Sequence, residues 1–342
     1  MATIQLKAIP YELQLLHPFT IATFTRTTTP IVLIELHYEG IIGYGEASMP
    51  PYLGETQQSA LNFFSKVDVA QFKFTFDFEA IHNYIDSLEP GNTAAKAALD
   101  IALFDLHGKL NKLPCHQMFE ANPLLMPATS MTIGMDSIDV IKQKVVEAAE
   151  FKLLKIKLGH ANDKEIIECI REITDTPLCV DVNQGWKDKN YALEMAHWLA
   201  DKNVKFIEQP LPKNNLEETA WLSSKSPLPI IADEDVQRFS DINLIKDAFS
   251  GINIKLMKCT GLYEAAKMIL EARKNNLKVL IGCMNESSVA NMAAAQLAPL
   301  ADWVDLDGPF MIRNNPFETP TLKNGKIQLT PSPGIGVVKK LI

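Results

Sequence analysis

The chain has 342 residues, of which 47% are hydrophobic and 22% are charged. This composition supports a sizeable buried core and excludes an intrinsically disordered chain. No apolar run reaches the roughly 18 residues that a membrane-spanning helix needs. The net charge of -8 argues against a surface for nucleic acid or anionic membrane, because such surfaces require a basic patch.

The N-terminal sequence MATIQLKAIP lacks the basic and apolar regions of a secretory signal. The five cysteines are scattered and contain no CxxC pair. We therefore expect reduced thiols and a cytoplasmic protein.

Residues 1–125 predict an α+β domain. The segment PIVLIELHY at 30–38 is typical of a strand, and glycines follow it at turn positions. The segment AAKAALDIALFDLHGKL has helical spacing, and Thr93 before it is the expected N-cap. Strands followed by helices indicate an α+β arrangement.

Residues 126–313 alternate between strand-like and helix-like segments, which predicts βαβ units and a parallel sheet. The strand-like runs are 131–134, 153–159, 177–183, 205–210, 229–235, 252–257, 278–283 and 303–308. Eight such runs favour an α/β fold with a closed TIM-type (β/α) barrel. Residues 314–342 are rich in Pro and Gly, and their short strand signal GKIQLT can pack back on the N-terminal part.

A polar side chain ends each of the eight runs. These residues are Thr132, Lys157, Asp181, Glu208, Asp233, Lys255, Cys283 and Asp305. Active sites of such barrels lie at the carboxyl ends of the strands. The regular spacing therefore predicts one polar site built from all eight strands.

Asp181, Glu208 and Asp233 fall on the third, fourth and fifth strands, where their carboxylates can converge. Unneutralised, these charges would repel one another strongly in a partly dry pocket. A hard divalent cation relieves the repulsion, and all-oxygen ligation indicates Mg²⁺. Asn183 and Asp235 are expected to support or replace a ligand. Glu234, which lies between Asp233 and Asp235, is expected to face the barrel wall or to form a salt bridge there.

Lys157 on the second strand and Lys255 on the sixth lie on opposite sides of the predicted barrel. Two amines placed in this way suit removal of a proton from one face of a carbon and its return to the other face. The reaction classes are racemisation, epimerisation or a stereospecific elimination. Lys155 is expected to lower the pKa of Lys157 as a nearby like charge. Lys258 should face away by strand alternation.

The motifs KIK, VDVN, IEQP, IADED and KLM, in this order, resemble the enolase superfamily and within it the muconate-lactonizing subgroup. The resemblance covers nearly the whole chain. It implies that residues 1–125 cap the barrel of residues 126–313 and that residues 314–342 return to the cap. It also implies one Mg²⁺ per subunit, which stabilises an enediolate formed next to a substrate carboxylate. Proteins of this family are often homo-oligomers.

The motif DLD at the last strand, with Asp305 and Asp307, resembles that of the dipeptide epimerases, in which the pair binds the α-ammonium of a dipeptide. The same resemblance implies that Thr132 contacts the substrate near Lys157. Cys283, as a strand-end residue, is a further candidate for substrate binding. We therefore expect a Mg²⁺-dependent enzyme that inverts the α-carbon of the C-terminal residue of an L,L-dipeptide.

The capping segment bears on the second residue of the substrate. Family members specific for Ala-Glu carry an arginine five residues after a Pro-Phe pair, where this chain has Phe24. This difference predicts an apolar or uncharged second residue. Alternatively the loop shifts by two residues, Arg26 takes the role, and the enzyme is an L-Ala-D/L-Glu epimerase. The segments 21–29 and 50–54 are candidate lids.

Three other activities of the subgroup remain alternatives: N-acyl amino acid racemase, o-succinylbenzoate synthase and muconate cycloisomerase. A barrel without catalytic activity, acting as a binding protein or scaffold, is an alternative of another class. Retention of all the ionisable residues of the core site argues against it. A small-molecule substrate is expected in every case except the scaffold, with no nucleic-acid or membrane partner.

Overall fold

The computed structural model of the protein describes residues 3–21 and 24–341, except for the side chains at positions 19–21, 24 and 51. An antiparallel sheet opens the chain in the order β1 (Gln5–Ile21), β2 (Phe24–Tyr38) and β3 (Ile41–Ser48). Four helices follow it: α1 (Gln57–Phe64), α2 (Phe78–Leu88), α3 (Thr93–Asn111) and α4 (Cys115–Met118).

Helix α3 is buried around most of its circumference, and its buried residues include Lys96, Asp100 and Asp105 beside a majority of small and apolar side chains. It approaches β3 so closely that a Cβ on Gly45 would lie 2.0 Å from the carbonyl oxygen of Ala98. Gly43 allows the same close approach one turn of the helix further on, against Ala102. The glycines between residues 40 and 45 therefore serve packing as well as the turn.

Eight parallel strands form the second sheet, with neighbours in sequence order from β4 to β11. They are β4 (Ser130–Ile133), β5 (Leu153–Lys157), β6 (Leu178–Asp181), β7 (Val204–Glu208), β8 (Ile230–Ala232), β9 (Gly251–Lys255), β10 (Lys278–Gly282) and β11 (Trp303–Asp305). A parallel bridge between Thr129 and Val304 joins the last strand to the first. The predicted α/β fold with an eight-stranded barrel and an N-terminal α+β domain is confirmed.

Helices alternate with the barrel strands. They are α5 (Ile138–Glu147), α6 (Asp163–Arg171), α7 (Lys189–Ala200), α8 (Leu216–Ser223), α9 (Ile242–Ile245), α10 (Leu262–Lys274) and α11 (Ser288–Ala295). A short hairpin, β12 (Leu322–Lys323) with β13 (Lys326–Ile327), follows the barrel. None of the helices in the described part of the chain is both long and apolar enough to cross a membrane.

The interior of the barrel has an apolar floor and a charged top. Leu153, Cys179, Phe206, Ile231 and Leu280 form a cluster of buried side chains, one from each of five strands. Side chains of a strand alternate between its two faces. The side chains two positions further along these strands therefore also point inward, above this floor. On β5, β6 and β7 they are the charged residues Lys155, Asp181 and Glu208.

The C-terminal segment contacts the N-terminal domain at several points. Lys339 Nζ lies 2.6 Å from Glu35 Oε1 on β2, and the Ile335 amide donates to Asp105 Oδ1 on α3 at 2.9 Å. The Tyr11 hydroxyl of β1 donates to the Asn314 carbonyl at 2.7 Å. These contacts link the two ends of the chain.

Two local expectations need correction. Thr93 is the first residue of α3 and not its N-cap; Asn92 precedes the helix, and the carboxylate of Glu55 accepts the Thr93 and Ala94 amides. The candidate lid at 21–29 consists largely of strand, because β1 runs to Ile21 and β2 begins at Phe24.

Candidate active site

Three carboxylates meet at the carboxyl ends of adjacent barrel strands. Asp181 pairs with Glu208 in the register of β6 and β7, and Asp233 follows the last residue of β8. One oxygen from each of the three lies within 4.8 Å of the others, and all three side chains are buried. The sequence placed these acids on three consecutive strands, and the structure brings them together.

The cluster concentrates three carboxyl groups in a buried place, where ionisation of each group is unfavourable. Burial, together with the neighbouring Asp181 carboxylate, raises the pKa of Glu208 to about 7. Burial also opposes ionisation of Asp181, but Lys157 and Lys155 outweigh it and lower the pKa of Asp181 to about 2. A divalent cation would relieve this repulsion, and three carboxylate oxygens are a donor set suited to Mg²⁺. The residues present therefore fit a magnesium ion.

The two lysines predicted to be the acid–base pair contact opposite ends of this cluster. Lys157 Nζ lies 2.6 Å from Asp181 Oδ2, and Lys255 Nζ lies 2.8 Å from Asp233 Oδ2. Three strands separate β5 from β9, so the two amines approach the cluster from its two sides. Both lysines line the same cavity.

Lys155 connects the carboxylates of three strands. Its Nζ lies 3.1 Å from Asp181 Oδ2, 2.8 Å from Glu208 Oε2 and 2.9 Å from Asp305 Oδ2. Burial disfavours its charge, but these carboxylates, led by Asp305, raise its pKa well above the usual value. Lys155 is therefore protonated, and it shares the acceptor atom Asp181 Oδ2 with Lys157.

Lys258 does not face away from the site, contrary to the expectation from strand alternation. Its Nζ lies 2.6 Å from Asp233 Oδ1 and donates to the carbonyl oxygens of Asp233 and Asn253 at 2.7 and 3.0 Å. The reason is that β9 ends at Lys255 and the chain turns there, with the Lys258 amide bonded to the Lys255 carbonyl. Strand alternation no longer applies beyond that residue.

Glu234 also differs from its expected place at the barrel wall. It lines the cavity, and burial together with Asp233 raises its pKa to about 7. Asp235 instead turns away, where its carboxylate accepts from Gln209 Nε2 at 2.6 Å and from the Asn214 amide at 2.7 Å. Asp235 thus supports the loop after β8 and does not replace a ligand, whereas Asn183 lies 3.2 Å from Lys157 Nζ.

Asp305 and Asp307 lie on the wall formed by β11 and β4, and both line the cavity. Asp305 accepts from Ser130 Oγ at 2.6 Å and from Lys155 at 2.9 Å. Asp307 Oδ2 accepts from the Thr132 amide at 2.6 Å. Burial and the neighbouring Asp305 raise the pKa of Asp307 to about 6.

The remaining predicted residues contribute to the same cavity, which has a volume of about 490 Å³. Thr132, Cys283 and Arg26 line it, and Cys283 Sγ lies 3.7 Å from Asp307 Oδ1. When the side-chain amide of Asn285 is oriented with its oxygen towards Arg26, Arg26 Nη2 donates a hydrogen bond to that oxygen at 2.7 Å. The side chain of Phe24 lies outside the described part of the structure.

Two models of known protein families match the sequence of this chain. Residues 4–119 match the N-terminal domain of mandelate racemase and muconate lactonizing enzymes. Residues 139–340 match the enolase C-terminal domain-like family. The chain belongs to the enolase superfamily. The resemblance of its motifs to this superfamily is thereby confirmed.

Several relatives within the superfamily are epimerases. The L-Ala-D/L-Glu epimerase of Bacteroides thetaiotaomicron is 54% identical over 96% of this chain and 86% of that protein. The solved dipeptide epimerase of Enterococcus faecalis, complexed with Mg and L-Leu-L-Tyr, is 31% identical with a TM-score of 0.91, covering 99% of this chain and 100% of that one. The substrate-liganded L-Ala-D/L-Glu epimerase of Bacillus subtilis is 27% identical with a TM-score of 0.93, and the match covers both chains completely.

Tyr52, which belongs to the candidate lid at 50–54, lines the cavity from the cap, and its hydroxyl donates to Met284 Sδ at 3.2 Å. Sequence reasoning missed another side chain of the site. Asn253 donates to Glu208 Oε1 at 2.7 Å from the middle of β9. Alternation along β9 puts Asn253 on the same face as Lys255, a signal that could have identified it.

Proposed function

We propose that this protein is a Mg²⁺-dependent dipeptide epimerase with one metal ion per subunit, which inverts the α-carbon of the C-terminal residue of an L,L-dipeptide. The main observation behind this proposal is that Lys157 and Lys255 lie on the two sides of one carboxylate cluster. The same cavity also contains Asp305 and Asp307. The epimerase relatives support the proposal.

The two lysines would exchange roles between the two directions of the reaction. One neutral amine accepts the α-proton as the C–H bond breaks, and the ammonium of the other lysine donates a proton to the opposite face. Asp181, Glu208 and Asp233 would hold the Mg²⁺, which, when bound, supplies the positive charge that makes the α-proton of a carboxylate removable. Lys155 and Lys258 keep two of these carboxylates oriented.

The acids of the opposite wall would set the length of the substrate. A substrate whose carboxylate lies at the metal site and whose ammonium lies at Asp305 and Asp307 must span the cavity, and a dipeptide has this length. Thr132 and Cys283 would contact the part of the substrate next to the ammonium. N-acyl amino acids have no α-ammonium, and muconate has no ammonium at all, for these acids to bind.

The cap points to the identity of the second residue. The expectation of an uncharged residue rested on Phe24, whereas the guanidinium of Arg26 lines the cavity. An arginine that is partly withdrawn from solvent in the wall of a substrate cavity favours a carboxylate partner. We therefore favour the alternative from the sequence, in which Arg26 binds the side-chain carboxylate of a second residue such as glutamate.

The activity is tested by proton NMR of L-Ala-L-Glu in D₂O with the purified protein and Mg²⁺. We expect growth of the L,D epimer together with loss of the α-proton signal of the glutamate residue. Asp307→Asn should lower kcat/KM for the dipeptide by about tenfold or more, since a charge-assisted hydrogen bond is lost. Asp247→Asn, at an exposed position, is the matched control. Turnover of N-acetyl-L-glutamate in preference to the dipeptide would favour an N-acyl amino acid racemase instead.

Arg26 is tested by comparing two substrates. Arg26→Gln should lower kcat/KM for L-Ala-L-Glu by about tenfold to a hundredfold, while L-Ala-L-Leu loses much less, because only glutamate has a carboxylate for the guanidinium. Equal losses on both substrates would instead assign Arg26 a structural role, through its contact with Asn285.

Three further proposals rest on the sequence. We propose domain limits of 1–125 for the cap, 126–313 for the barrel and 314–342 for the returning segment. We propose a cytoplasmic location, which the five free cysteine thiols support. Assembly into a homo-oligomer also remains a proposal.

A further inference from the structure

A second cavity, of about 230 Å³, adjoins the one that contains the lysines. The side chains or backbone of Thr132, Asn285 and Met311 line both. The second cavity lies where β4 and the C-terminal end of α5 meet the turn after β11, and residues 15–18 of β1 cover it. It therefore extends the catalytic cavity outward between the last and the first strand of the barrel.

The lining of this second cavity is mainly apolar. Its apolar side chains are Leu15, Leu16, Pro18, Met131, Ile133, Ala148, Phe151, Phe310 and Met311. The charged groups at its edge already have partners, since Lys144 Nζ lies 3.1 Å from Asp136 Oδ2 and His17 Nε2 lies 3.2 Å from Glu147 Oε2. An apolar group is the ligand that this lining favours.

The position of Asp307 connects the second cavity to the substrate. Asp307 accepts the amide of Thr132, a residue of the wall that the two cavities share. An ammonium bound by Asp305 and Asp307 therefore lies next to this wall. Because the α-carbon that carries the ammonium also carries the side chain of the first residue, that side chain can enter the second cavity.

We propose that the second cavity binds the side chain of the first residue of the dipeptide and accepts apolar groups of the size of leucine or phenylalanine. This inference rests on the proposed function. An apolar cavity of roughly 150 Å³ is known to hold benzene, so 230 Å³ far exceeds the needs of the alanine methyl group. The substrate class is thus wider than dipeptides that begin with alanine.

The wild-type protein provides the first test. Epimerisation is measured for L-Ala-L-Glu, L-Leu-L-Glu and L-Phe-L-Glu under identical conditions with Mg²⁺. We expect kcat/KM for the leucine or phenylalanine dipeptide to equal or exceed that for the alanine dipeptide. A value more than tenfold below that of the alanine dipeptide for both would overturn the inference but leave the proposed function intact. Failure with all three dipeptides would instead refute the proposed function.

Two substitutions at the C-terminal end of α5 provide the second test. Ala148→Leu adds bulk to a buried lining position and leaves less room for a large side chain. The ratio of kcat/KM for L-Phe-L-Glu to that for L-Ala-L-Glu should therefore fall by about tenfold or more, as is usual when a pocket loses the space for a methylene group. Val146→Leu, at a position that is 63% exposed, should leave the ratio as it is. An unchanged ratio in folded Ala148→Leu protein would contradict the assignment; should that variant not fold, Ala148→Val and the wild-type series decide the question.

Discussion

The two acids that follow β11 differ in their ease of ionisation. Burial opposes the charge of Asp305, but the ammonium of Lys155 outweighs it and keeps the pKa of Asp305 below its usual range. Asp307 has no such partner at bonding distance in the described residues, and burial beside Asp305 raises its pKa to about 6. Asp307 is therefore the acid of the pair whose charge changes near neutral pH.

This difference predicts an acid limb in the pH profile. As the pH falls through about 6, Asp307 takes up a proton and loses its attraction for the substrate ammonium. We expect kcat/KM for a dipeptide, which reports the free enzyme, to fall by up to about tenfold per pH unit below that point. Asp307→Asn should lower the plateau and remove the part of the acid limb that Asp307 causes, while the loss from protonation of the lysine that acts as base remains. A wild-type profile that is flat between pH 5 and pH 7 would contradict the assignment.

At single positions, sequence reasoning succeeded where the backbone is regular. Asp181, Glu208 and Lys157 end their strands, so period-two alternation gives their direction. It failed for Lys258 and Glu234, which lie in turns just beyond β9 and β8. Turns have no fixed alternation, and only the assembled barrel shows that these side chains reach the cluster.

At the scale of elements, β5 holds together the acidic ends of three other barrel strands. Lys155 joins acids of β6, β7 and β11 in one buried group. A buried carboxylate that loses its cation is costly, because the energy of its desolvation is no longer offset. The strand thus contributes stability to the barrel as well as an amine to the site.

Lys155→Met removes the central cation while it retains the length of the side chain. We expect the free energy of unfolding without metal to fall by about 3–5 kcal/mol, the usual effect of breaking a buried ion pair. Added Mg²⁺ should restore about 2.7 kcal/mol at a hundred times its dissociation constant, since only the folded state assembles the metal site. Urea titrations with and without Mg²⁺ measure both effects.

Lys164→Met is the matched control for this experiment, because Lys164 pairs with Glu194 at the exposed surface of α6 and α7. It should leave the unfolding curve unchanged. If Lys155→Met were as stable as the control in the absence of metal, the charge balance described for the cluster would be wrong.

Helix α3 shows why ends of elements are harder to predict than their interiors. Its apolar run correctly predicted a helix beginning near Thr93. The cap of its first turn, however, comes from the carboxylate of Glu55, 38 residues earlier in the chain. Local sequence contains no signal for a cap that another segment supplies.

At the scale of the molecule, buried polar contacts join the cap to the barrel. Glu46 on β3 is fully buried and accepts the amide of Ser287 at 2.8 Å and that of Ala290 at 3.3 Å, at the start of α11. Ser48 donates to the Asn285 carbonyl at 2.9 Å. The cap therefore holds the loop after β10, which contributes Cys283 and Asn285 to the cavity.

Glu46→Ala should weaken this junction. Because it leaves buried amide groups without acceptors, we expect a loss of about 1–3 kcal/mol in the free energy of unfolding. Cap and barrel should still unfold in one transition in the wild-type protein, with the same midpoint by far-UV circular dichroism and tryptophan fluorescence. Glu39→Ala, in the exposed turn between β2 and β3, is the control. Two separate wild-type transitions would show that the domains are not coupled.

Sequence predicted the barrel because each strand and helix is encoded locally and eight repeats reinforce one another. It did not predict β1, which spans 17 residues and pairs with β2 on both sides of a register shift between Gln14 and Phe19. It also gave no sign of the second cavity, which arises only where β1 covers the barrel. Contacts between distant segments depend on the relative placement of the domains, and local patterns do not encode that placement.

The central claim is that Lys157 and Lys255 act on opposite faces of one carbon. The direct test follows the α-proton of the second residue by NMR in D₂O, starting separately from the L,L and the L,D dipeptide, with Lys157→Ala and Lys255→Ala. We predict that neither variant interconverts the epimers, and that each exchanges the α-proton of one epimer only, with opposite choice. Exchange of the same epimer by both variants, or continued interconversion by either, would contradict the account.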